Sequence, residues 1–189
     1  NVDGTISTRA PAAVPAGAPA GSNRVLAVTF RFTGTPNRFF FKHQPLMGTE
    51  SPFSVDWNSA IAQTDATTKF MADIHVPAGY AGTSIRMVVR DSQNQLEKGP
   101  AFLLNTAGWR RISFDLANDT IAPYATSEGG YSTGNGVINT AGNGALDIAF
   151  AGFEVSSTGF TGATGTINFD KITYTDSQPG DRRYVINEF

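Results

Sequence analysis

Thr68-Lys69-Phe70-Met71-Ala72-Asp73-Ile74-His75-Val76 alternates cleanly: Phe70, Ala72, Ile74 and Val76 point one way, and Lys69, Met71, Asp73 and His75 the other. Pro77-Ala78-Gly79 breaks the run. Residues 84–90 alternate again, Ile85, Met87 and Val89 against Arg86, Val88 and Arg90, and end in a polar turn at Asp91-Ser92-Gln93-Asn94. Residues 108–116 close the set, with Ile112, Phe114 and Leu116 on one side and Arg111, Ser113 and Asp115 on the other. A period of two over such lengths marks strands with one buried face. Read as neighbours in a sheet, the first two strands bring Asp73, His75, Arg86 and Arg90 together as a polar cluster on a rigid floor.

The same pattern extends outward. Residues 24–33 form a strand with Leu26, Val28, Phe30 and Phe32 on its apolar side, and 38–42 a short strand with three consecutive phenylalanines. An exposed Phe triplet is unfavourable in water, so a ring on the second face also needs cover. Residues 146–155 and 166–174 are strands; Ile167, Phe169, Ile172 and Tyr174 shift face near Asp170-Lys171. No long 3.6-period apolar stripe occurs, and 59–67 offers at most a turn of helix. The 189 residues suffice for one sizeable core. The expected fold is all-β: a single-domain sandwich of two antiparallel sheets.

Residues 1–22 read as an N-terminal edge strand followed by a crossing or linker made only of Ala, Pro, Val and Gly over 10–21. The domain spans 23–176, and 177–189 is a C-terminal tail. Two long loops stand out. Residues 43–65 contain Trp57, and 117–145 contain Tyr124, Tyr131 and six glycines. Loops of such length in compact domains usually carry function. A short strand is expected at 137–139.

Composition narrows the function. A net charge of -2 argues against nucleic acid or an anionic membrane as partner. No apolar run reaches 18 residues, so no membrane insertion is expected. The chain has no cysteine, which excludes disulfides and thiolate zinc sites. Low charge with abundant Thr, Ser, Asn, Gly and aromatics suits a secreted or cell-surface domain. No secretion signal is legible, as in a processed chain. Asn118-Asp119-Thr120 is a formal glycosylation sequon.

No Gly-x-Ser-x-Gly, His-Glu-x-x-His or Walker pattern occurs. Gly134-Asn135-Gly136 and Gly142-Asn143-Gly144 lack the strand-to-helix setting of a phosphate loop. A glycosidase pair such as Asp73 with Asp147 stays open. So does a lyase using Tyr, His and Arg, for which His43 and His75 are the available histidines.

Four phrases occur in a telling order: Val76-Pro77-Ala78-Gly79, then Val89-Arg90-Asp91-Ser92, then Gly108-Trp109-Arg110-Arg111-Ile112-Ser113-Phe114-Asp115-Leu116, then Gly165-Thr166-Ile167-Asn168-Phe169-Asp170-Lys171-Ile172. Together they resemble the β-jelly-roll carbohydrate-binding modules of polysaccharide-degrading enzymes, within the galactose-binding-like sandwich group, over about residues 24–175. The resemblance implies a jelly roll whose concave sheet, holding the first two phrases, forms a sugar cleft with Lys69, Asp73, His75, Arg86 and Arg90. It implies a structural calcium on Asp170, with Asp3 as a partner from the start of the chain. Lys171 stands where that group has a second aspartate. In that group the tryptophan at the position of Trp109 seals the sandwich edge, so the resemblance implies a packing role for it.

Sugars present hydroxyls in fixed directions and apolar C–H faces. Arg86 and Arg90 offer planar donor forks, Asp73 accepts from two hydroxyls, and His75 donates or accepts according to tautomer. Trp57, Tyr124 or Tyr131 would supply a stacking ring; Trp57 serves equally as a loop anchor. The basic residues also suit an acidic or sulfated sugar. The plainer alternative is a cross-strand ion pair of Asp73 with an arginine on a solvated face. The expected function is a non-catalytic carbohydrate-binding module. It would tether a secreted modular enzyme or surface protein to polysaccharide or oligosaccharide, alongside other modules of the same chain. The alternatives are a structural or adhesive sandwich without a sugar site, and the jelly-roll lyase.

Overall fold

Thirteen strands form among the residues that the computed structural model describes, which are 4–33, 37–42, 66–125, 131–139, 148–159, 162, 164–175 and 183–188. In chain order they are β1 (Gly4–Ala12), β2 (Val25–Phe32), β3 (Asn37–Lys42), β4 (Lys69–Val76), β5 (Thr83–Arg90), β6 (Gln95–Lys98), β7 (Phe102–Leu103), β8 (Gly108–Asp115), β9 (Ala122–Pro123), β10 (Ser132–Thr133), β11 (Ala149–Ser157), β12 (Thr164–Thr175) and β13 (Arg183–Glu188). The first sheet runs β1-β2-β12-β4-β8, with β13 also on β12. The second runs β10-β6-β5-β11-β3, with β7 on β5 and β9 on β6. Pairing is antiparallel except at the short β6–β10 bridge. The architecture is an all-β jelly-roll sandwich.

The inner faces meet in one aromatic core. Phe30 packs on Phe39 at 5.1 Å and Phe153 on Phe169 at 4.7 Å, one ring from each sheet in both pairs. Phe30, Phe153 and Ile74 are wholly buried. Each such side chain contributes about 1.5–3 kcal/mol by leaving water. The Phe triplet divides as alternation requires. Phe39 enters the core, and Phe40 is covered on the outer face by Tyr124 at 5.3 Å. The face shift on β12 is a bulge: the register against β4 slips between Phe169 and Ile172.

β4 and β5 are not neighbours. They lie in opposite sheets. Between them residues 77–82 turn the chain over one end of the sandwich. There Tyr80 is buried, its amide donates to the Leu104 carbonyl, and its hydroxyl donates to the Thr166 carbonyl while accepting from the Thr166 amide. Both strands aim their apolar residues at the shared core. Their polar residues therefore emerge on opposite outer surfaces.

Three other expectations change. Residues 183–188, read as tail, form β13 against β12. The 117–145 region is partly built into the second sheet through β9 and β10, whereas 137–139 forms no strand. β6 went unread, because it carries a buried glutamate, Glu97, beside Leu96. Trp57 and most of the helical turn expected at 59–67 lie outside the described residues; 66–67 form a turn.

Candidate functional site

The register between β4 and β8 builds a site on the outer face of the first sheet. It sets Asp73 opposite Arg111 and His75 opposite Trp109. The Arg111 guanidinium donates from Nε and Nη2 to the two oxygens of Asp73, each at 2.7 Å. This planar two-bond geometry is the strong form of the carboxylate–guanidinium pair. Asp73 is almost buried, while the Arg111 side chain is 46% exposed. The hydrogen bonds to Asp73 hold Arg111 still more firmly protonated.

One step along the strands, the His75 ring lies 5.2 Å from the Trp109 ring. His75 Nδ1 is 3.3 Å from the Asn168 amide nitrogen on β12. An amide nitrogen only donates, so Nδ1 accepts and the ring proton sits on Nε2. Burial lowers the His75 pKa below the ordinary histidine value, which favours this neutral form.

The Ala/Pro/Gly stretch crosses this face as a strap. It leaves β1 at Ala12 and re-enters the sheet at Val25. Trp109 Nε1 donates to the Ala16 carbonyl at 3.1 Å. Beside the indole the strap turns at Gly17, whose φ of 78° lies in the left-handed region that glycine enters without strain. Between strap and sheet opens a groove of about 280 Å³ lined by Pro19, Asp73, Trp109, Arg110 and Arg111. Arg110 is spent on the chain itself, donating to the Leu103 and Thr106 carbonyls.

Nearer the strap's return, Ser22 Oγ donates to Asp170 Oδ2 at 2.5 Å. Asp170 is fully buried, and its Oδ1 accepts no hydrogen bond among the described residues. A buried carboxylate oxygen without a partner fits one ligand position of a cation. Calcium takes six to eight oxygens. Asp170 and Ser22 supply two side-chain oxygens, no cluster of three acidic or histidine side chains occurs among the described residues, and Asp3 lies outside them.

The sequence-derived site is thus split. Asp73 lines the groove and His75 adjoins it. Lys69 stands at the far end of β4, opposite Asp115. Arg86 and Arg90 are on the outer face of the second sheet, so no single cleft joins them to Asp73 and His75. The same separation dismantles a lyase constellation of His75 with Arg86. Tyr124 is no platform: it is wholly buried in an outer-face cluster with Val88, Leu96 and Ala151, which Tyr131 helps to cover. The cross-strand ion pair of Asp73 with an arginine, the plainer of the two readings, is present; sequence reading singled out neither Arg111 as that arginine nor Trp109 as a groove wall. The signal was present, since both lie on the alternating β8. What was lacking was the register that sets β8 beside β4.

No family model and no curated protein sequence matches the chain. Among solved structures, it is similar to a family 11 carbohydrate-binding module from Clostridium thermocellum, determined in complex with a beta-1,3-1,4-mixed-linked tetrasaccharide. That similarity covers 91% of this chain and 83% of the other, at 12% identity and a TM-score of 0.49.

Proposed function

We propose that the chain is a non-catalytic carbohydrate-binding module whose site is the Trp109 groove. The observation that carries this reading is the groove itself, where an indole stands beside a two-bond carboxylate–guanidinium pair. The indole offers an apolar surface to a sugar C–H face. Asp73 can accept hydroxyl hydrogens while Arg111, with Nη1 to spare, donates to hydroxyl oxygens. Asp73 is already committed to two hydrogen bonds, which suits a fixed acceptor rather than a proton-transfer group. At about 280 Å³ the groove is small for a ligand pocket. It suits one sugar unit seated with the rest of the glycan running outward.

In this reading the domain serves a secreted or surface protein by holding it near polysaccharide, raising local concentration through the tether. A calcium ion at Asp170 would neutralise the buried carboxylate and pin the strap through Ser22. The same Ser22–Asp170 bond sits on the strap that walls the groove, so the ion would act on the site by positioning.

The test is affinity electrophoresis and a glycan array with wild type, Trp109→Ala, Arg111→Lys and, as control, Arg86→Ala. Loss of a stacking ring is expected to weaken neutral-glycan binding about tenfold or more. Arg111→Lys should weaken it too, and Arg86→Ala should not. Binding lost only in the Arg86 variant would move the site to the other face. A folded wild type that retains no glycan would leave a structural sandwich domain.

A further inference from the structure

Among the described residues, the strands of the second sheet's outer face carry more positive than negative charge around one carboxylate. Glu154 on β11 is 3% exposed. Lys98 Nζ lies 3.2 and 3.4 Å from its two oxygens, Arg38 Nη1 at 3.7 Å and Arg86 Nε at 4.0 Å. Arg86 also donates from Nη1 to the Gly99 carbonyl at 2.7 Å. Arg90, on the same face two positions beyond Val88, is half-buried and forms no ion pair or hydrogen bond among the described residues. On the described strands of this face, then, Arg38, Arg86, Arg90 and Lys98 face a single carboxylate.

Partly buried like charges repel more strongly than they would in water. One carboxylate offsets one of them. We propose that this face is a second ligand site, separate from the Trp109 groove, and that it takes an acidic polysaccharide through its carboxylate or sulfate groups.

Three features select this occupant. The row from Arg86 to Arg90 spans about 13 Å at strand rise, longer than one small anion. It therefore suits charges repeated along a polymer. Guanidinium forks pair with carboxylate and sulfate in two-bond fashion. The chain as a whole is -2, which repels densely charged polymers at long range. A polyuronate or sparsely sulfated glycan carries less charge per length than a nucleic acid and is repelled less.

The test is affinity electrophoresis in polygalacturonate, a sparsely sulfated dextran and neutral dextran, at low and high salt, with thermal melts to check folding. Wild type should be retarded by the acidic polymers at low salt and released at high salt. Arg90→Gln, which disturbs no bond of the Glu154 network, should weaken that binding about tenfold. Arg86→Gln should do likewise, and Trp109→Ala should leave it unchanged. Because the groove is read by neutral glycans and this face by acidic ones, the two readings fail separately. Absence of retardation by both acidic polymers, or equal retardation of Arg90→Gln, overturns the proposal. Full competition by millimolar inorganic sulfate would reduce the site to a small-anion site. Stronger retention by oligo-dT than by polygalacturonate would put a nucleic acid in its place.

Discussion

Arg111 closes a planar two-bond pair onto Asp73 across β8 and β4, with both contacts at 2.7 Å. Removing the guanidinium leaves a nearly buried carboxylate without its donors. Because the Arg111 side chain is 46% exposed, water offsets part of that loss. Arg111→Ala is expected to cost about 1–2 kcal/mol of stability, measured by chemical denaturation. Arg111→Lys keeps the charge without the fork and should recover only part of it. An Arg111→Ala protein as stable as wild type would mean the pair contributes nothing.

Gly165 on β12 sits against the Phe30 ring. An added Cβ would lie 2.5 Å from that ring, which is itself locked in the core. Gly165→Ala should therefore cost about 1–3 kcal/mol by overpacking, visible as a lowered Tm. An unchanged Tm would show that the Phe30 ring can yield.

Asp170 makes a sharper case. If calcium occupies the unpartnered oxygen, added calcium should raise Tm and chelator should reverse the rise, following the linkage of ligand binding to folding. Asp170→Asn should abolish the calcium response. A wild-type melt indifferent to both additions would remove the ion from the account, leaving Asp170 held by its bond from Ser22.

The His75 pKa is lowered by burial, so the folded protein favours the neutral ring. Above the ordinary value near 6.5 this contribution is fully present. As pH falls below about 6.5 the unfolded chain takes up the proton first, and stability declines until pH passes the folded value. Glu97 acts with the opposite sign. Its pKa is raised, chiefly by burial, so its contribution is present below the ordinary carboxylate value and lost as pH rises through the folded one. Denaturation at a series of pH values should show His75→Gln with a flatter fall than wild type between neutrality and mild acid. Parallel curves would show that His75 keeps the same proton affinity folded and unfolded.

Much of the fold is legible because alternation reports burial directly. Residues 68–76, 84–90 and 108–116 read as strands and are β4, β5 and β8 within a residue or two. Even the bulge at Asp170-Lys171 shows as a break in the period. Alternation says which face is buried and nothing about which strand lies alongside. Hence Asp73 and Arg86 looked like companions, although the turn at 77–82 carries the chain from one sheet to the other. Arg111, thirty-eight positions from Asp73, is the true partner. Tyr124 was misread for a related reason: its burial comes from a second apolar cluster on the outer face of the second sheet, to which Phe40 contributes from a distant strand. Polar β6 was unreadable because its Glu97 is satisfied by the amides of Asn135 and Gly136 from another loop.

That turn at Tyr80 also decides how the domain can be altered. Residues on β4 and β5, close in sequence, are separated by a packed hydrocarbon layer that admits neither water nor slack. A change at Trp109 and one at Arg90 share no side-chain partner among the described residues, so their effects on stability should add. The sandwich is in this sense an insulated board, on which one surface can be rewritten, by selection or by an engineer, without disturbing what is inscribed on the other.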